Sequence, residues 1–371
     1  MLYFDYTATT PIDEEVLETY IRVEKNFFGN STSLHKFGQM SNYMYEKASD
    51  EIRDVLKIPD HNIVFTANAT EANNLGIYGL VLKQESGKII TTKIEHPSVY
   101  EVFKDLEKRG YEIIFLDINQ DGIIDLQELE KHLSKDVILV SVMWVNNIIG
   151  SVQPIKDIIE LVQEYPKTKL HVDCVQGMGK IIPDFDFSEI DLMSISAHKI
   201  YGPKGVGALF FRKQIELERR LYGSEAQLGV KPGTISVGLA AALCKTLKKH
   251  LPLTKEHYQY VHKLNQYLRQ GLSNFDYIVL NSGENASPYI LNLSLKDLNG
   301  ETLVHFLESH EIYVSTGSAC SSKLKKPERT IYCLTNDVKR ATSSIRISLS
   351  HLTTKEEIDK LLEILEKAKH V

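Results

Sequence analysis

Residues 192–207 read Leu192-Met-Ser-Ile-Ser196-Ala-His198-Lys199-Ile-Tyr-Gly202-Pro-Lys-Gly205-Val-Gly207. The first five suit a covered strand, and the last six are too rich in glycine and proline for the interior of a helix or strand. A lysine at the carboxyl end of a buried strand has a partly desolvated ammonium, which lowers its pKa and favours the free amine. That amine can form a Schiff base with an aldehyde cofactor. The neighbouring glycines let other backbone come close to it. Alone, such a lysine would read as a surface residue of a Gly-rich turn, so the stretches around it have to decide.

Working outward, short β-branched or aromatic runs alternate with helical patterns. Strands are expected over 62–66, 88–92, 112–116, 137–144, 169–173, 192–196 and 207–211, with helices over 70–83, 97–109, 126–133 and 155–164. This predicts an α/β chain with a mostly parallel seven-stranded sheet covered by helices on both faces. Ligands of such sheets gather at the carboxyl ends of the strands. Beyond about residue 250 the pattern changes to helix 255–274, strands 277–280 and 289–293, helix 300–310, strands 313–315 and 345–348, and a last helix over 354–369. That reads as a smaller α+β domain. The polar, basic stretch 318–330, broken by Pro327, reads as a loop.

Three further stretches meet the lysine at strand ends. The strand over 169–173 ends in Asp173, with Gln176 three residues on. A carboxylate there can keep the ring nitrogen of pyridoxal phosphate protonated and the ring an electron sink. Thr66-Ala-Asn-Ala69-Thr70-Glu-Ala-Asn-Asn74 joins a strand to a helix start, where backbone N–H groups and the Thr70 hydroxyl suit a phosphate. His96 opens another helix, either as a cap or as a ring partner and proton shuttle.

Composition narrows the classes. The 371 residues suggest two or three domains at roughly 150 each. A net charge of −6 with 43% hydrophobic and 25% charged residues describes a folded chain and excludes disordered, collagen-like and coiled-coil readings. It offers no whole-surface attraction to nucleic acid or anionic membrane. Four cysteines (Cys174, Cys244, Cys320 and Cys333) are too few for a disulfide scaffold and form no C-x-x-C pair. No apolar run approaches a membrane span, and Asp5 with no basic start argues against a signal peptide. A soluble, cytoplasmic protein in a reducing compartment is the expectation. Residues 117–128 (Asp-Ile-Asn-Gln-Asp-Gly-Ile-Ile-Asp-Leu-Gln-Glu) fit a calcium loop at every ligand position. A strand precedes them where an EF-hand needs a helix, so a polar strand-to-helix turn is the preferred reading.

The ordered motifs resemble the cysteine desulfurases, NifS/IscS-like pyridoxal-phosphate enzymes of the class V aminotransferase group. The matches are Asp5-Tyr-Thr-Ala-Thr-Thr-Pro11, Asn30-Ser-Thr-Ser-Leu-His35, residues 66–74, Glu95-His96-Pro97, Val145-Asn-Asn147-Ile-Ile-Gly150, His171-Val-Asp173-Cys-Val-Gln176, residues 196–207, Gly233-Thr234, Thr316-Gly-Ser-Ala-Cys320-Ser and Ser344-Ile-Arg346-Ile-Ser-Leu349. The resemblance implies the fold-type I architecture, with a large cofactor-binding domain over 13–252. Residues 1–12 and 253–371 would form a small domain carrying Cys320 and Arg346. It implies that Lys199 bears the cofactor, His96 stacks on it and moves protons, Asp173 pairs with its ring nitrogen, and Asn147 and Gln176 face its phenolic oxygen. Ala69, Thr70, Ser196 and His198 would hold the phosphate, with Thr234 reaching in from the partner of a homodimer. Arg346, helped by Asn147, would take the substrate carboxylate as a bidentate fork. L-Cysteine would yield its sulfur to a Cys320 thiolate as a persulfide, leaving alanine. Lys323, Lys325, Lys326 and Arg329 could favour that thiolate, or form a merely solvated basic loop. The acceptor would be an iron–sulfur scaffold or a tRNA-thiolation enzyme.

The sequence departs from the family at Ile148, where an acidic residue is usual, and at Gln227, Leu228 and Lys231, where a Glu-Arg pair and an arginine are usual. These changes bear on phosphate contacts, dimer contacts and rate. A selenocysteine lyase or aminotransferase of the same class, or a calcium-binding or degraded-site scaffold, are the alternatives. Cys174 and Cys244 read as packed small hydrophobes, and Cys333 has no assigned role.

Overall fold

The computed structural model describes residues 1–316 and 327–370. The chain opens with β1 (Leu2–Tyr3), α1 (Glu14–Asn26) and α2 (Lys36–Leu56). It then runs β2 (His61–Thr66), α3 (Ala69–Val81), β3 (Lys88–Thr92), α4 (Pro97–Lys108), β4 (Glu112–Leu116), α5 (Leu126–His132), β5 (Val137–Met143), α6 (Ile155–Gln163) and β6 (Lys169–Asp173). Next come β7 (Leu192–Ser196), β8 (Gly207–Arg212), α7 (Val237–His250), α8 (Thr254–Leu272), β9 (Ile278–Leu280) and β10 (Ile290–Leu295). The last part holds α9 (Gly300–Glu308), β11 (Ile312–Tyr313), α10 (Arg329–Thr335), α11 (Val338–Thr342), β12 (Ser344–Ser348) and α12 (Lys355–Lys367).

Seven strands form one sheet in the order β2-β8-β7-β6-β5-β3-β4. All neighbours from β7 to β4 pair in parallel, and β8 runs antiparallel to both β2 and β7. The mostly parallel seven-stranded sheet expected from the sequence is therefore present, with one strand reversed. The reversal follows from length: only residues 197–206 join β7 to β8, too few for a parallel crossover with its helix. That short connection carries Lys199. The central strands are buried on both faces, with Val140, Val142, Val172 and Ile195 fully covered, which is why they read as near-continuous apolar runs.

The remaining strands form an antiparallel sheet β12-β10-β9 and a parallel pair β1-β11. Asp5 bridges Ser348, and Ser315 bridges Arg346, so the first residues of the chain and the residues just after β11 both meet β12.

Helices α1, α2, α10 and α11 were absent from the sequence reading. The buried face of α2 falls on Gly38, Ser41, Tyr45, Ala48, Ser49, Ile52 and Leu56, a helical spacing filled largely by small or polar residues, and α1 buries only Val16 and Val23. Both pack on α7. Arg329 and Thr330, read as loop, lie in α10, whose first turn is capped by the Glu328 carboxylate accepting from Ile331 N at 2.8 Å. Residues 117–128 leave β4 and enter α5. Asn119 Oδ1 accepts from Asp121 N and Ile123 N, Glu128 accepts from Asp117 N at 3.2 Å, and Asp117 pairs with Lys93. These groups close a turn, as the polar-turn reading expected. No helix among the described residues is long and apolar enough to cross a membrane.

Candidate active site

The carboxyl ends of β6 and β7 and the starts of α3 and α4 converge. Asp173, the last residue of β6, is buried. Its Oδ1 accepts from Val175 N at 3.0 Å and its Oδ2 from Asn73 Nδ2 at 2.9 Å. Asn73 lies in the second turn of α3, and the same amide donates to Ser98 Oγ at 2.9 Å. Ser98 Oγ lies 2.8 Å from His96 Nδ1, and Ser98 N donates to that nitrogen at 3.1 Å. His96 is thus the N-cap of α4. A ring nitrogen that accepts from a backbone N–H holds no proton, so the neutral ring carries its proton on Nε2. Burial, and then Lys199, Arg329 and Arg346, lower the His96 pKa against the opposing pull of Asp173.

Lys199 ends a single 3-10 turn that follows β7 directly. Its amine donates to the Thr7 carbonyl at 2.8 Å and the Ala8 carbonyl at 2.7 Å. Burial first, then the positive charge of Arg346, push it down to about 8, with Asp5 and Asp173 working against the shift. The N-terminal segment is held in place by Thr10, whose N–H and hydroxyl both donate to the His198 carbonyl. Tyr201 N in turn donates to Thr10 Oγ1 at 2.8 Å. His198 Nδ1 lies 3.2 Å from Thr9 Oγ1, and burial pushes its pKa down to about 4. Gln176 donates from Nε2 to the Thr7 carbonyl at 3.1 Å and accepts at Oε1 from Lys180 at 2.8 Å.

Arg346 enters from β12 and is 4% exposed. Its Nη1 donates to the Asn147 carbonyl at 2.8 Å and its Nη2 pairs with Asp5 Oδ1 at 3.0 Å. Ser315 exchanges two backbone hydrogen bonds with it. On the far side of residues 317–326, Arg329 donates to the carbonyls of Lys93 and Glu95 and lies over the Tyr100 ring at 3.7 Å. Arg329, offered by the sequence as a residue favouring a thiolate, fastens the start of α10 beside His96 through carbonyls that leave its charge in place. Cys320, Lys323, Lys325 and Lys326 lie outside the described residues.

The α3 N-terminus is formed by buried Ala69 and exposed Thr70, with Asn68 as N-cap accepting from Glu71 N. Three of the departures cluster here. Lys231 pairs with Glu71 at 3.0 Å, and the Gln227 amide accepts from Phe65 N at 2.6 Å and donates to Phe65 O at 3.3 Å, covering the open edge of β2. Gln227 and Leu228 achieve this with φ of 49° and 61°, the left-handed region. Ile148 packs with Ile149, Ile331 and Ala341, so the apolar residue joins the loop after β5 to α10 and α11. Thr234 is exposed, and no described hydrogen bond ties it to the other site residues. Cys174 and Cys244 are packed, with burial raising both thiols; Cys333 is half-buried in α10 and likewise raised.

These residues fit pyridoxal phosphate. A buried amine depressed toward neutrality, a buried carboxylate on fixed donors and a helix N-terminus stand together, and the buried Ser196 Oγ is without a described partner. A cleft of about 780 Å³ lined by Leu56, Trp144, Met178, Ile182, Phe185 and Phe187 lies elsewhere: none of the site residues lines it, so volume does not locate the chemistry. Sequence reasoning missed Asn73, Ser98, Lys180 and the carbonyls of Thr7 and Ala8.

Residues 2–361 match the class-V aminotransferase family. The cysteine desulfurase IscS of Neisseria meningitidis serogroup C is 37% identical over 374 residues, covering 98% of this chain and 91% of that protein. A solved NifS-like protein superposes with a TM-score of 0.92 at 32% identity over the whole of both chains. SspA, solved in complex with cysteine, superposes with a TM-score of 0.82 at 29% identity, covering 95% of this chain and all of that one. The chain belongs to the class-V aminotransferase family and, within it, to the NifS/IscS-like cysteine desulfurases.

Proposed function

We propose that the chain uses pyridoxal phosphate to convert L-cysteine to L-alanine, moving the sulfur onto Cys320 as a persulfide and from there to an acceptor protein. The observation that carries this reading is the meeting of a depressed, buried Lys199 amine with buried Asp173 and buried Arg346 at the carboxyl end of the sheet. Bound to Lys199, the cofactor supplies an electron sink that makes the substrate sulfur electrophilic. Asp173 holds the ring nitrogen, Gln176 and Asn147 face the phenolic oxygen, and Ala69, Thr70, Ser196 and His198 take the phosphate. His96 stacks on the ring and moves protons through Nε2. Arg346 exchanges Asp5 for the substrate carboxylate. The Cys320 thiolate attacks the substrate sulfur; the new S–S bond forms as the C–S bond breaks, and the carbon takes up a proton to become the methyl of alanine. Cys320–SH and HS–CH₂–R thus become Cys320–S–SH and H–CH₂–R, the methyl of alanine, with no outside oxidant.

Both roots of the 317–326 segment support this role for Cys320, because Ser315 is paired with Arg346 and Arg329 is fastened beside His96. The SspA complex with cysteine supports the substrate. We assign residues 13–252 to a cofactor domain and residues 1–12 with 253–371 to a small domain. The protein works as a cytoplasmic homodimer in which Thr234 serves the partner's phosphate, and an exposed Thr234 with exposed, touching Phe28 and Phe37 supports that pairing. An iron–sulfur scaffold or tRNA-thiolation enzyme is the acceptor.

The test is Cys320→Ala. It should keep the yellow absorbance of the loaded protein, at about 400 nm, and lose persulfide and sulfide formation. Full retention of desulfuration sinks the role of Cys320. Alanine formed only with an added keto acid would favour an aminotransferase instead.

A further inference from the structure

Arg346 already carries a carboxylate. Asp5 Oδ1 lies 3.0 Å from Arg346 Nη2, and Arg346 is the one described hydrogen-bond partner of the Asp5 side chain. The two partners differ in access to water: the Arg346 side chain is 4% exposed and that of Asp5 22%. When the pair parts, Asp5 can turn toward solvent, whereas the guanidinium stays buried and needs another anion.

The backbone that brings Asp5 there does not depend on the pair. Phe4 O accepts from Ser348 N at 2.7 Å and from Ser348 Oγ at 3.0 Å, and Thr7 N donates to the same hydroxyl at 3.0 Å. Ala8 N donates to Asp5 O at 2.9 Å and closes the turn. The main chain on both sides of Asp5 is thus pinned to β12, two residues from Arg346. Movement of the carboxylate off the guanidinium falls to its own side-chain torsions.

The same turn faces Lys199, whose amine donates to the Thr7 and Ala8 carbonyls. The charged groups acting on Lys199 are Arg346, which lowers its proton affinity, and Asp5 and Asp173, which raise it. His96, Lys180 and His198 in turn feel the charge of Lys199. The titration of Lys199 therefore reports whether an anion is seated at Arg346.

We infer that the Asp5 carboxylate is a built-in stand-in for the substrate carboxylate, which every incoming carboxylate has to displace from Arg346. This rests on the reading of Arg346 as the substrate-carboxylate site. The consequence is specificity. A simple carboxylate exchanges one anion for another and gains little, whereas an amino acid also brings an amine for the cofactor, so Asp5 weakens the first more than it can exclude the second.

The test uses Asp5→Asn, with Asp5→Ala as the second variant should the first misfold. In the cofactor-free proteins, competitive labelling with fluorodinitrobenzene in carboxylate-free buffer, read by peptide mass spectrometry, gives the titration of Lys199. Loss of the Asp5 charge should move its midpoint down by as much as about one unit, speeding labelling near neutral pH up to about tenfold. Propionate, which is alanine without its amine, should bring the midpoint back up in the variant and leave it in place in the unsubstituted chain. In the loaded proteins KM for cysteine should fall by up to about tenfold with kcat changed less than about twofold. Propionate should inhibit the variant at lower concentration than the unsubstituted chain. A Lys199 midpoint that does not fall, or that propionate does not restore, overturns the inference, as does a KM that holds or rises. Absence of cysteine turnover in the unsubstituted chain would sink the underlying reading, while the propionate titration would still decide whether Asp5 holds an anion's place.

Discussion

Two walls of the site solve opposite electrostatic problems. On one, the carboxylate of Asp173 is met by neutral donors, the Val175 N–H and the Asn73 amide, and the hydrogen-bond chain continues through Ser98 to His96. On the other, Lys199, Lys180 and Arg346 crowd together and are answered mostly by oxygens without charge, those of Thr7, Ala8, Gln176 and Asn147, with Asp5 on Arg346. Dipoles fix direction without neutralising charge. The first wall is therefore oriented, and the second keeps a positive field that depresses its own amines and suits anions, the cofactor phosphate and the substrate carboxylate.

The comparison can be broken from either side. Lys199→Ala removes the amine around which the second wall is built and should cut cysteine turnover by at least about a thousandfold; a milder loss in steady-state assays would mean another lysine does its work. Arg346→Lys keeps the charge but loses the fork, so kcat/KM for cysteine should fall by about ten- to a hundredfold, and an unchanged value would move the carboxylate elsewhere. Asn73→Leu strips a donor from a buried carboxylate and should cost about 1–3 kcal/mol in denaturant unfolding. Ser98→Ala is the mildest change, at about 1 kcal/mol, because the residue-98 backbone N–H still donates to His96. Nitrogen NMR of the ring should show the proton still on Nε2; a proton on Nδ1 would break the description of the first wall.

The second wall also predicts a pH dependence. Lys199 holds its proton less tightly folded, at about 8, than unfolded, at about 10.5. Between those values the unfolded chain binds more protons, so stability rises with pH there. Below about 8 both forms are protonated and the cost of burying the charge is fully felt. Denaturation midpoints across this window should climb in the unsubstituted chain and climb less in Lys199→Met; equal slopes would contradict the burial of a charged amine.

How much was legible follows the same division. Strand ends announce themselves, since β3, β4, β6 and β7 are short apolar runs stopped by polar residues, and Lys199, Asp173 and His96 sit just at or past such stops. Asn73, Ser98 and Lys180 were not legible. Each lies inside or beside a helical or turn pattern, where an amide, a hydroxyl or an amine has an ordinary solvent-facing or capping explanation. Their partners are set by the fold: Asn73 meets Asp173 across a hundred residues of sequence. The α2 helix was hidden for a different reason, because small residues packed on α7 leave little hydrophobic period to read. The departures at Ile148 and Gln227 looked like losses in the sequence. In three dimensions they serve other contacts, an apolar join to α10 and α11 and a covered sheet edge.

The account stands most directly on which lysine carries the cofactor. Adding pyridoxal phosphate to the protein, reducing with borohydride and mapping the fixed mass by peptide mass spectrometry answers this in one experiment. The mass should sit on the peptide containing Lys199 and be absent from Lys180. Labelling at Lys180 in its place, or spread over surface lysines with none at Lys199, would contradict the account.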